Sequence, residues 1–170
     1  MIIANLSQNM ISSSSEEAFS VFEKSALGEK KQGKIIYSNF EALYLLDKNK
    51  LEIYSNNKKI SFDALINKLK KRNKKIESEY VVYLDLRSKG YILKEALKFG
   101  ADFRVYDKGT RPGTSHAPWL LLVCNSTDKI NWHEFSGKNR IAHSTKKKLL
   151  IALVDSESSA SYYEIDWKKL

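Results

Sequence analysis

The chain has 170 residues, 42% hydrophobic and 29% charged, a balance that suits one ordinary folded domain or two small ones and excludes a disordered chain. Its 29 Lys and Arg exceed its 20 Asp and Glu, and the net charge of +9 favours polyanionic partners, nucleic acid above all. No apolar run approaches the roughly 20 residues of a membrane span. The start, MIIANLSQNMISSSSEE, has no basic region followed by an apolar stretch, so no signal peptide is expected.

In chain order, Ser12–Ser15 reads as a turn or loop. Asn39 caps a short helix through EALYLLDK with Phe40, Leu43 and Tyr44 on one face. LEIYS at 51–55 is a strand, and Ser61 caps a second helix. Phe62, Leu65, Ile66 and Leu69 fall at i, i+3, i+4 and i+7, the clearest amphipathic pattern in the chain. The run KLKKRNKK, Lys68 to Lys75, is either a solvated helix end or a phosphate-contacting surface. A domain boundary is placed there, giving a small α+β domain over 1–77 and an α/β domain over 78–170. Charge does not distinguish them, with 14 basic against 9 acidic residues before Ser78 and 15 against 11 from Ser78 onward.

The second half opens with a helix over about 78–89, closed by Gly90. YILKEALKFG at 91–100 fits either a helix or a strand and turn. FRVYD at 103–107 alternates as a strand and leads into a loop with Gly109, Pro112 and Gly113. Pro118–Cys124 is a buried strand, with Cys124 a buried filler in a reducing, cytoplasmic setting. A helix runs from Trp132 to about His143 with Trp132 and Phe135 inward. Leu149–Val154 is a continuous apolar strand and Tyr162–Trp167 an alternating last one. The fold class is α/β, with a central mixed sheet flanked by helices on both faces.

Reactive residues are few. His116, His133 and His143 do not sit at metal-site spacings, and there is no HExxH, Cys/His cluster, phosphate-binding glycine loop or dinucleotide motif. Asp102 and Asp107 are the only nearby carboxylate pair in the loop region, against the clustered carboxylates of two-metal nucleases. No metal or cofactor is expected. Three local features remain: His116 in a Gly/Pro loop ahead of a buried strand, Tyr106 at the end of the preceding strand, and the triplet Lys146-Lys147-Lys148 opening another. Each also has an ordinary reading, as a solvated loop histidine, a packing tyrosine and a surface lysine cluster.

The segments YVVYLDLRSKGYILKEALKFGADFRVYDKG, HAPWLLLV and RIAHSTKKKLLIALVD resemble the archaeal tRNA-splicing endonuclease family, and FEALYLLDKNKLEIY resembles its N-terminal domain. The resemblance covers about residues 34–168, and its motifs occur in the family's order. It implies a restriction-endonuclease-like catalytic domain and a Tyr, His and Lys active site, which by position are Tyr106, His116 and Lys147. The arginine usual before that lysine is replaced by Lys146, so the lysine is assigned by register. The family's base-clamping arginine corresponds to Arg140. The clamp's second arginine has no clear counterpart, and Tyr162, Tyr163 or Trp167 are candidates to stack in its place. Arg111 in the loop Lys108–Ser115, and Lys146, are further candidate RNA contacts.

The implied reaction is lyase-type: a ribose 2′-OH attacks the adjacent phosphate, leaving a 2′,3′-cyclic phosphate and a 5′-OH end, so RNA and not DNA is cut. Tyr106 takes the 2′-OH proton, His116 protonates the leaving oxygen, and Lys147 stabilises the anionic phosphorane. A free tyrosine ionises near pH ~10. The role therefore predicts that Lys147 approaches within ~10 Å of Tyr106, where charge coupling survives screening, although the two stand 41 positions apart. The implied substrate is precursor tRNA with a bulge–helix–bulge, cut by a tetramer. The implied acidic insertion loop is 155–161, which holds only Asp155 and Glu157, and this favours two catalytic plus two structural subunits over four identical chains. The alternatives are a non-catalytic structural subunit of the same assembly, an RNA-binding module, or a nuclease of other specificity on the same fold.

Overall fold

Side chains along a strand point alternately to its two faces, so a strand on the core buries one face and exposes the other. In Ile2–Ser7 (β1), Ile2 and Ala4 are buried while Ile3 is exposed. The computed structural model describes residues 1–168 and 170. It divides into two compact units, Met1–Glu77 and Ser78–Leu170.

In the first unit, β1 pairs antiparallel with Met10–Ser13 (β2) and parallel with Leu51–Ser55 (β5). With Glu29–Lys31 (β3), Lys34–Tyr37 (β4) and Lys58–Ile60 (β6) these form a six-stranded sheet of order β3-β4-β2-β1-β5-β6. The helices are Glu16–Ser25 (α1), Asn39–Asp47 (α2) and Phe62–Lys70 (α3).

Several expectations change here. The serine run is not a loop: Ser12 and Ser13 lie in β2, and Ser15 caps α1 by accepting from the Ala18 N–H. Ser13 is buried, its hydroxyl donating to the Ile3 carbonyl at 2.6 Å. The cap of α2 is Ser38 rather than Asn39, in a capping box whose Glu41 carboxylate accepts from the Ser38 N–H at 2.9 Å. Burial takes in Phe40, Glu41, Ala42, Leu43 and Leu45, more than one face, so α2 is a core helix rather than an amphipathic one. Ser61 caps α3 as expected, with Leu65 the residue buried deepest.

The second unit is built on a five-stranded mixed sheet of order β11-β10-β9-β8-β7. Its strands are Ile92–Glu95 (β7), Phe103–Tyr106 (β8), Trp119–Asn125 (β9), Lys148–Val154 (β10) and Ala160–Ile165 (β11). The ambiguous segment 91–100 resolves into β7 and a single 3-10 turn, Leu97–Phe99. All neighbours are antiparallel except β9 and β10, which run parallel. Parallel neighbours need a crossover, supplied by the helix Trp132–Ser144 (α5). One sheet face packs on α5 through Leu120, Cys124, Ala142 and Leu149, with Phe135 and Leu122 beside them. On the other face Tyr83, from the helix Ile76–Ser88 (α4), meets Phe103 with ring centroids 5.9 Å apart.

Trp132 does not point inward: it is 82% exposed. Asn131 caps α5 by accepting from the Glu134 N–H, which makes Trp132 the first helical residue, and its ring stands edge-on to Phe135 at 5.7 Å. Phe135 does the packing. Both α4 and α5 end in the same hydrogen-bonding pattern. After α4, Gly90 N–H donates to Arg87 O and Tyr91 N–H to Leu86 O, with Gly90 at φ 94°. After α5, Lys146 N–H donates to His143 O and Lys147 N–H to Ala142 O, with Lys146 at φ 55°. Such a motif wants a left-handed residue between its two bonds. Glycine takes that conformation freely in the first case, and a lysine is held in it in the second.

Candidate active site

Strand β8 carries alternate residues to opposite faces. Arg104 and Tyr106 therefore share a face, while Phe103 and Val105 lie on the other. The register pairs Arg104 with Leu120, a residue of the core packed on α5, which places Tyr106 on the α5 side of the sheet. Beyond Tyr106 the chain leaves the sheet through a loop whose turns are closed by Thr110 N–H to Asp107 O and Ser115 N–H to Arg111 O. This loop returns His116, exposed, just ahead of the buried Ala117 and of β9. The turn after α5 brings Lys147 to the same place.

These three segments enclose a cleft of about 320 Å³. Tyr106, His116 and Lys147 all line it, together with Phe99, Arg104 and the stretch from Gly113 to Ala117. Tyr106 is nearly fully buried and Lys147 half-buried. Among the described residues, no carboxylate lines the cleft. Burial first, and the neighbouring Arg104 guanidinium second, hold the Lys147 ammonium below the ordinary lysine range.

The lysine triplet separates by geometry. Lys146 is exposed in its left-handed turn. Lys148 begins β10 and pairs with Glu164 at 2.6 Å. Of the three, only Lys147 lines the cleft.

Two family models match the chain: the tRNA intron endonuclease catalytic C-terminal domain over residues 76–162, and the N-terminal domain of the same endonuclease over residues 2–66. A tRNA-splicing endonuclease of Thermococcus kodakarensis is 32% identical over 170 residues, 99% of each chain. One from Nanoarchaeum equitans is 43% identical over 135 residues, 76% of this chain and 86% of that one. One from Methanothermobacter thermautotrophicus is 38% identical over 144 residues, 85% and 84%. The chain belongs to the tRNA intron endonuclease family.

The other candidate residues of this endonuclease lie outside the cleft lining. Arg111 is in the loop and exposed, and Arg140 is exposed on α5. Of the aromatic residues near the last strand, Tyr162 is engaged: its hydroxyl donates to Asp85 at 2.6 Å, and Lys89 stands over its ring. Tyr163 and Trp167 are exposed, and the Trp167 ring meets His143 edge-on at 4.5 Å.

The carboxylate pair Asp102 and Asp107 is split across the ends of β8. Asp102 accepts from the Val123 N–H at 2.7 Å, and Asp107 accepts from the Lys108 N–H at 2.8 Å. Among the described residues, no three His, Cys, Asp or Glu side chains come together as a metal site. No helix among them is long and apolar enough to cross a membrane.

Arg104 escaped the reading of the sequence. Its signal was present in the alternation of FRVY, which sends residue 104 to the same face as residue 106. Its Nε–H is buried without a hydrogen-bond partner, an arrangement that costs about 1–3 kcal/mol.

Proposed function

We propose that this endonuclease removes introns from precursor tRNA at a bulge–helix–bulge, without a metal, through Tyr106, His116 and Lys147. The observation that carries the reading is the single cleft lined by these three side chains from three separate segments. Family membership and a net charge of +9 support RNA as the ligand.

In this reaction the substrate supplies the nucleophile. The ribose 2′-oxygen attacks the adjacent phosphorus while its proton passes to the Tyr106 phenolate oxygen. The bond from phosphorus to the 5′-oxygen breaks, and that oxygen takes a proton from the His116 imidazolium. The products are a 2′,3′-cyclic phosphate and a 5′-hydroxyl. Proton exchange with solvent restores both side chains. Lys147 offsets the negative charge that gathers on the phosphorane, most strongly where water is scarce.

Two cuts at a fixed separation call for two such sites, hence an oligomer. The loop after β10 favours two catalytic and two structural subunits in a tetramer. Of its two carboxylates, Asp155 is already used within the turn, accepting from the N–H groups of Glu157 and Ser159 at 2.9 Å each. That leaves Glu157 to engage a partner.

The test is incubation with an intron-containing precursor tRNA in EDTA, alone and with a candidate partner subunit. Cyclic phosphate ends that disappear in His116→Ala are expected. Cutting that appears only with added magnesium overturns the mechanism. Mass photometry of the active species separates four identical chains from a mixed tetramer.

A further inference from the structure

Arg104 lines the same cleft as Tyr106, His116 and Lys147. Two fixed cations therefore face one small space whose lining contains no acid. Among the described residues neither has a carboxylate partner.

The arginine is also held in place. Its guanidinium carbon lies 5.9 Å from the centre of the Phe99 ring, and its Nε–H is buried without a partner. A planar donor fork, fixed against an aromatic ring and left short of acceptors, suits an oxyanion with two free oxygens. The depressed ammonium of Lys147, caused by burial and by Arg104, points to the same missing charge.

We propose that Arg104 is a second phosphate-binding residue, holding one non-bridging oxygen of the scissile phosphate while Lys147 holds the other. This rests on the reading of the cleft as the RNA-cutting site and adds the group that orients the phosphorus. With both non-bridging oxygens fixed, the 2′-oxygen and the leaving 5′-oxygen are constrained to lie in line, Tyr106 toward one and His116 toward the other. Lysine alone, a point charge on a flexible stem, would not fix that orientation.

The experiment compares Arg104→Gln and Arg104→Lys with the parent, as the assembled enzyme, under single-turnover conditions on precursor tRNA. Arg104→Gln is expected to cut about 100-fold more slowly. Arg104→Lys recovers part of that loss, and affinity for the precursor changes little in either. Sulfur placed at each non-bridging oxygen in turn slows the parent, and for one of the two isomers the slowing disappears in Arg104→Gln. A purely structural arginine would lower the rate without removing a sulfur effect. Cutting by Arg104→Gln within about threefold of the parent, or both sulfur effects kept at full size, overturns the proposal.

A second arm is independent of cleavage: the arginine Nε–H signals in a ¹H–¹⁵N spectrum are followed during titration with inorganic phosphate. The signal missing in Arg104→Gln is expected to move in the parent. If it ignores phosphate, the proposal for Arg104 fails alone. If the parent makes no cyclic phosphate ends, the reading of the cleft fails instead.

Discussion

The backbone N–H of Lys147 donates to the carbonyl of Ala142 at 2.8 Å. This bond closes α5 and sets which residue of the lysine triplet reaches the cleft. Lys146, one position earlier, is forced into a left-handed conformation at φ 55°. Lys148, one later, has entered β10 and its ion pair with Glu164. A helix ending thus resolves a choice that three identical letters left open.

Lys146→Gly is expected to stabilise the protein by about 1 kcal/mol, since glycine occupies the left-handed position without the side-chain clash. Gly90 already does so at the matching position after α4. Thermal unfolding of the two proteins measures the gain. Cutting should persist, because Lys146 does not line the cleft.

Lys147→Met is expected to abolish cutting and to raise the urea midpoint at neutral pH. The folded pKa of Lys147 lies below its unfolded value. Between the two the unfolded chain binds more protons, so this group's contribution to stability rises with pH. Its cost to the fold is fully present below the folded pKa and is relieved as pH climbs toward the unfolded value of about 10.4. The advantage of Lys147→Met should therefore shrink between pH 7 and pH 10, read from urea melts at each.

Asp102→Ala is expected to destabilise the second unit by about 1.5–3 kcal/mol. Its carboxylate accepts from the Val123 N–H at 2.7 Å, and its own N–H donates to the Leu121 carbonyl at 3.0 Å. The side chain thus fastens the start of β8 to β9. Cutting measured well below the melting temperature should survive, which separates this acid from a metal ligand.

Tyr162→Phe is expected to cost about 1–2 kcal/mol near neutrality and to make the stability of the fold less dependent on pH in the acid range. Burial alone would raise Asp85, but its hydrogen bonds from Lys89 and Tyr162 outweigh that and bring it below the usual carboxylate range. A depressed carboxyl adds stability above its unfolded pKa and loses it as pH falls through the folded one. The difference between parent and variant should be largest near neutrality and fade in acid, as followed by circular dichroism.

Legibility in the sequence tracked how local the pattern was. LLLVC and LLIALV announced β9 and β10 because strands buried on both faces are apolar throughout. The first 37 residues gave no such signal. Strands β1 to β4 are three to six residues long and interrupted by Asn, Ser and Lys, and β1 is completed only by parallel pairing with β5 some 50 residues on. Trp132 was misplaced because helical periodicity does not say where a helix begins, and the Asn131 cap does. Of the candidate site, the Tyr, His and Lys were legible through a family resemblance. Arg104 needed the sheet, since only the pairing register shows what its strand faces.

The crossover between β9 and β10 sets an order of assembly. Tyr106 and His116 flank one antiparallel return and can come together once the chain up to about Asn125 has emerged from the ribosome. Lys147 arrives only after α5 has formed and β10 has docked parallel to β9, a slower and less local step. A nascent or half-folded molecule would therefore carry much of the basic surface that attracts RNA while its cleft is still incomplete. The cleft lined by Tyr106, His116 and Lys147 is therefore complete only once the chain through β10 is in place.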